Sequence, residues 1–284
     1  MKGSHFMMRL RRFRPALLAC AFWLLAQPAQ AVISCTVSSP GFTSFYDTTA
    51  GTANDSVSSA TITCTRASGD ASTQTYSLAT NQGLRSRSNS YRASQNGQTL
   101  NYDVYKNAGR TTTWDQSNPF TGTINFGAGT SVTLSLPYYT RIPALQNVPA
   151  GVYTDTVTMT LTYGAATAVA SYPVQNYVNT TCLISTPPGS VTFNYASFQT
   201  AAATASTTFT ARCTSGLPYT LSLDAGGGTQ LGINYSLLLP VTTGTGNGVN
   251  QTYSINGTAV ANQAGSCASP TCSATDSRTL TLSF

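Results

Sequence analysis

The 284 residues hold 14 Lys+Arg against 8 Asp+Glu, one histidine and only 8% charged residues, so the formal charge is +6. Five of the basic residues precede residue 15; beyond residue 31, nine face eight aspartates, with no glutamate and Lys106 as the sole lysine. That near-neutral balance excludes a phosphate-neutralising basic surface, and with His5 as the only histidine the exported chain has no Ser-His-Asp, Cys-His or His-metal chemistry.

Residues 1–31 have the pattern of a secretory signal peptide. Arg9, Arg11, Arg12 and Arg14 precede the apolar run 15–26, and Ala29-Gln30-Ala31 is a small-x-small cleavage signal. The run is too short to span a bilayer, which takes about 20 residues, and no later segment is long and apolar enough. The expectation is a chain exported through the periplasm with no transmembrane anchor and no cofactor.

After residue 31 helical periodicity is absent and short period-two runs take over. Ala60 to Thr65, Ser131 to Leu136 and Thr154 to Tyr163 all alternate. In the last, Val157, Met159, Leu161 and Tyr163 point one way and four threonines the other, the pattern of a half-buried strand. Six cysteines follow the signal peptide: Cys35, Cys64, Cys182, Cys213, Cys267 and Cys272. An even count in an exported chain reads as disulfides, with 15 pairings allowed in principle. Spacing favours Cys35–Cys64, Cys182–Cys213 and Cys267–Cys272. The first two would each stabilise by about 3–4 kcal/mol in the chain-entropy model.

The chain repeats itself in order. Cys35…Cys64 is echoed by Cys182…Cys213, Tyr76-Ser-Leu by Tyr219-Thr-Leu, and Leu100-Asn-Tyr by Ile233-Asn-Tyr. The run from Asp155 is echoed by the run from Asp276. Two homologous domains are expected, 32–163 and 181–284. Residues 164–180 are expected as a linker, or as an internal strand of the first domain.

These residues resemble the spore coat protein U domain of archaic chaperone–usher pili. The resemblance rests on the opening Cys35-Thr-Val, on Cys64-Thr, on Leu100-Asn-Tyr-Asp-Val-Tyr with Trp114 after it, and on the closing run from Gly151 to Tyr163. The second copy lacks the tryptophan and inserts Cys267–Cys272. The resemblance implies an all-β fold of two Ig-like β-sandwich domains in tandem, the C-terminal one lacking its last strand. It implies a non-catalytic pilus subunit, a tip adhesin acting in attachment and biofilm formation. Its partners would be a periplasmic chaperone, an outer-membrane usher and a neighbouring pilin that donates a strand. Leu280, Leu282 and Phe284 would form the strand-acceptor edge. Only Val32, Ile33 and Ser34 lie between the cleavage signal and Cys35, which reads as a subunit that accepts a strand without donating one.

The loop before the closing strand of the first domain is apolar and stiffened by Pro143 and Pro149. A linker at 164–180 would put this loop at the far pole, roughly 33 Å away. Tyr138, Tyr139, Ile142, Leu145 and Val148 are therefore expected as a surface-binding loop, the alternative being that they cover the end of the sandwich. Other functions in view are a spore or cyst coat protein and a soluble carbohydrate-binding module.

Overall fold

The computed structural model describes residues 33–87 and 90–284. The expected signal peptide, 1–31, lies outside the described residues. The chain from Ser34 on is all-β. Ten strands build a first unit: β1 Ser34–Ser38, β2 Phe42–Tyr46, β3 Asn54–Thr65, β4 Thr73–Thr80, β5 Tyr91–Gln95, β6 Gln98–Tyr105, β7 Phe120–Asn125, β8 Ser131–Ile142, β9 Gly151–Tyr163 and β10 Ala166–Val178. Eight build a second: β11 Cys182–Thr186, β12 Ala203–Cys213, β13 Pro218–Leu223, β14 Gly227–Gln230, β15 Ile233–Leu238, β16 Thr243–Thr245, β17 Gln251–Ala259 and β18 Leu280–Ser283.

The first unit is one curled sheet in the order β1-β3-β8-β6-β5-β9-β10-β2, with β4 on β9 and β7 on β4. The alternation read from the sequence sets its inside. Val157, Met159 and Leu161 of β9 are fully buried. So are Trp114, Tyr138, Tyr153 and Tyr172, and Trp114 and Tyr138 meet with ring centroids 5.2 Å apart. The second unit has the order β11-β12-β17-β15-β14 facing β16-β13-β18, over a smaller core around Phe209, Tyr219, Leu221 and Ile255. The three expected disulfides are formed, Cys35–Cys64 and Cys182–Cys213 each joining a first strand to its neighbour.

Residues 164–180 are no linker. Gly164 and Ala165 turn the chain and β10 runs back along β9 for its whole length, from Ala166 opposite Tyr163 to Val178 opposite Gly151. Its other edge pairs parallel with β2, from Val174 opposite Phe42 to Val178 opposite Tyr46. Tyr172, Val174, Asn176 and Val178 enter the core. Period-two alternation with alanine, tyrosine and valine on one face is why this segment makes a strand. Gly41, at φ +77°, marks how closely β10 approaches: a Cβ there would meet the Pro173 carbonyl oxygen at 1.9 Å.

The return of β10 places the second unit at the start of β9, not at its end. Thr48 and Thr214 hydroxyls lie 3.1 Å apart. Thr181 donates its N–H to Thr214 Oγ1 at 3.0 Å and its hydroxyl to Asp47 at 2.9 Å. Pro149 bridges to Ser215, and Arg212 Nη2 donates to the Leu145 carbonyl. Thr48 and Thr214 are both buried in this junction.

Candidate strand-acceptor groove

The two units repeat pair by pair. β1·β3 corresponds to β11·β12, β3·β8 to β12·β17, β6·β8 to β15·β17 and β5·β6 to β14·β15. Likewise β4·β7 corresponds to β13·β16, and β4·β9 to β13·β18, with Leu78 opposite Leu161 and Leu221 opposite Leu282.

Side chains repeat as closely. In the first unit Gln146 exchanges bonds with the Asn101 backbone at 2.8 and 2.9 Å and donates its N–H to the Tyr46 hydroxyl at 2.8 Å; that hydroxyl donates to the Pro143 carbonyl at 2.8 Å. In the second, Gln263 exchanges with Asn234 at 2.7 and 3.0 Å and donates to the Tyr195 hydroxyl at 2.9 Å, which donates to the Val260 carbonyl at 2.8 Å. Leu145 and Asn262 share the left-handed backbone at φ 60° and 62°. Tyr102 donates to Asp155 at 2.8 Å and Tyr235 donates to Asp276.

This correspondence places residues 191–195 where β2 stands. They keep its alternation, with Val191, Phe193 and Tyr195 half-buried and Thr192 and Asn194 exposed, but pair with no strand. The pairings β9·β10 and β10·β2 have no counterpart among the described residues of the second unit. Among the described residues β18 pairs only with β13, and its other edge is open. The consequence is visible in burial. Met159, Leu161 and Tyr163 of β9 are buried, Tyr163 being 8% exposed. Leu280 and Leu282 are only half-buried, and Phe284 is 60% exposed. Ile184, Val191, Leu280 and Leu282 flank the core of the second unit without being closed over. The expected acceptor residues therefore stand along an unpaired strand edge beside an incompletely covered apolar core.

The upper part of the same edge is polar. Arg278 and Asp276 form an ion pair at 2.5 Å, and both touch the Tyr235 hydroxyl. The Tyr235 hydroxyl and the Arg278 guanidinium hold the Asp276 carboxyl below the usual carboxylate range.

The expected surface-binding loop is corrected. Tyr138, Ile142 and Val148 are buried, Tyr138 against Trp114 and Tyr172. Tyr139 is half-buried beneath the Arg110 guanidinium, 5.7 Å from its centroid. Only Leu145, 45% exposed, faces solvent. The loop lies at the junction with the second unit and not at the far pole, because β10 carries the chain back along β9. In β2, Phe42 and Tyr46 are buried, while Phe45 is exposed and stacks on Tyr177 at 5.2 Å. Asp155 accepts from the Leu84 and Thr156 N–H groups and from Tyr102, a structural role. Among the described residues no cluster of three His, Cys, Asp or Glu is placed to hold a metal, and no helix is long and apolar enough to cross a membrane.

The glutamine–tyrosine clasp and the β2-like segment were missed in the sequence. The signal was present: Phe42-Thr-Ser-Phe-Tyr46 and Val191-Thr-Phe-Asn-Tyr195 share a threonine and a final tyrosine in step with the repeat already found.

The sequence matches the Spore Coat Protein U domain over residues 21–160 and 168–245. A search of curated proteins gives no match. Among solved structures, the chain is similar to the CsuC–CsuE chaperone–tip adhesion subunit pre-assembly complex of Acinetobacter baumannii (15% identity, 88% of this chain and 100% of that one, TM-score 0.45). It is also similar to the CupB6 tip adhesin of Pseudomonas aeruginosa (9% identity, 89% and 94%, TM-score 0.37) and to the CooA pilin subunit of enterotoxigenic Escherichia coli (9%, 51% and 98%, TM-score 0.35). With its all-β repeat and its two matched segments, this chain belongs to the spore coat protein U domain family, as a structural protein and not an enzyme.

Proposed function

We propose that the open edge of β18 takes an extended strand from another chain, as β9 takes β10 from its own. The protein is then a non-catalytic structural and adhesive subunit of a chaperone–usher surface pilus, at its tip. The observation that carries this is the repeat itself: the strand pairings of the first unit recur in the second except the two made by β10 and the single-residue contact of β5 with β9. An unpaired edge beside half-covered Leu280 and Leu282 is an aggregation hazard unless a strand is added. A periplasmic chaperone would cover it before assembly at an outer-membrane usher, and a neighbouring pilin afterwards. The first unit, sealed by β10, has no edge to offer there, so the second unit joins the shaft and the first is distal.

The adhesive surface then lies at the end of the first unit remote from the junction. The β3–β4 connection, the β7–β8 connection and the β9–β10 turn converge there. Arg66 ties the first two together, donating to the carbonyls of Asp70, Gly127 and Gly129. Attachment and biofilm formation would follow from this placement.

The test is periplasmic expression of the full chain with and without its chaperone. A soluble 1:1 complex with the chaperone and aggregation without it is the expected result. A stable monomer that unfolds cooperatively without any partner would overturn the proposal.

A further inference from the structure

The acceptor edge of the second unit is not a copy of the one β10 covers. Leu221 opposite Leu282 and Leu78 opposite Leu161 fix the correspondence of the two edges, and the Tyr102–Asp155 and Tyr235–Asp276 contacts agree with it. On that register Leu280 and Leu282 stand where Met159 and Leu161 stand, and Arg278 stands where Val157 stands. Val157 is fully buried and lies opposite Tyr172 of β10.

Arg278 is held in place as part of the groove wall. Residues 276, 278, 280 and 282 are the half-buried ones in an alternating run, so Arg278 shares the face of Leu280 and Leu282. Its Nη2 donates to the Gly227 carbonyl at 2.9 Å and the Tyr235 hydroxyl at 3.0 Å, and pairs with Asp276 at 2.5 Å. The guanidinium lies 5.9 Å from the Tyr235 ring centroid. Gly228 makes room for it: a Cβ there would come within 2.4 Å of Nη2.

A strand laid over this point removes water from an ion pair. Covering it with an apolar side chain costs that hydration with nothing in return, whereas a hydrogen-bonding side chain replaces it. Arg278 and Asp276 already neutralise each other, so a further charge would have no counter-ion.

We infer that Arg278 sets the side-chain specificity of the groove: the strand it takes is apolar opposite Leu280 and Leu282 and carries an uncharged amide or hydroxyl side chain opposite Arg278. The inference rests on the strand-acceptor reading above and adds which strand is taken. It also separates the two grooves, since β10 meets a wholly apolar Val157 at this level.

The probes are two fluorescent peptides copied from residues 166–178, one carrying Tyr172→Gln and one Tyr172→Leu, titrated against the full chain and its Arg278→Val variant. The tethered β10 excludes them from the first unit through its high effective concentration. The expected result is that the Gln peptide binds the unaltered chain about tenfold more tightly than the Leu peptide, as one or two charge-assisted hydrogen bonds would give. Arg278→Val should reverse that order. Binding of both peptides with the same order in both proteins would overturn the role of Arg278 and leave the groove standing. Binding of neither peptide to either protein would overturn the strand-acceptor reading, and the inference with it.

Discussion

Gln146 ties β6 and β2 to the loop that follows β8, through its side-chain amide and its backbone N–H. Its amide reaches the Asn101 backbone and the Pro143 carbonyl, and its N–H reaches Tyr46. Gln146→Ala leaves the Asn101 N–H and carbonyl to water and should cost about 1–2 kcal/mol in urea denaturation. Gln263→Ala should cost a similar amount in the second unit, which would confirm that the clasp is a repeated device. Asp55 offers a titration test. Bidentate bonding from Arg141, at 2.8 Å to each oxygen, and the nearby Arg110 guanidinium hold its carboxyl below the ordinary value of 3.8. A carboxyl lowered on folding stabilises the protein above the unfolded value, and that stabilisation is lost as pH falls through the folded one. Asp55→Asn should therefore flatten the acid limb of stability below about pH 4. At neutral pH it should cost under about 1 kcal/mol, because the pair is partly exposed.

The element that decides the architecture is β10. Removing its side chains should unfold the first unit, since Tyr172 and Val174 are buried between β9 and β2. The same register position in the two units gives a sharper contrast. Leu161→Ala should cost about 2–5 kcal/mol, the range for a filled core position. Leu282→Ala should cost distinctly less in the uncomplexed protein, because Leu282 is only half-buried along an open edge. Once a strand is bound the two costs should converge. Chemical denaturation of each variant, with and without a bound strand peptide, reads this directly; equal costs in the free protein would mean the second core is already closed.

The whole molecule is held at its waist by threonines. Thr214 Oγ1 accepts the Thr181 N–H at 3.0 Å and lies 3.1 Å from the Thr48 hydroxyl, with the Asn179 carbonyl at 3.1 Å. Thr214→Val keeps the shape and removes the oxygen, leaving the part-buried Thr181 N–H without its acceptor, at about 1–2 kcal/mol. Calorimetry should then resolve two transitions where the native chain couples its units; a single unchanged transition would show that the junction transmits nothing.

Much of this was readable from residues alone. The all-β class, the inward face of β9, the disulfide partners and the tandem repeat follow from alternation, cysteine spacing and self-similarity, which are local or one-dimensional properties of a chain. The fate of Ile142, Val148 and the segment 164–180 was not readable. An apolar loop and a core-covering loop have the same composition, and a strand and a linker differ here only by what lies beside them. Tertiary structure decided both at once, through the return of β10 between β9 and β2: it buried the loop at the junction, turned the distal end elsewhere, and left β18 as the one closing strand with an unpaired edge. The physical reason is that a strand's backbone groups must be paired by a neighbour, and which neighbour supplies the pairing is a fact of three dimensions that no residue carries by itself.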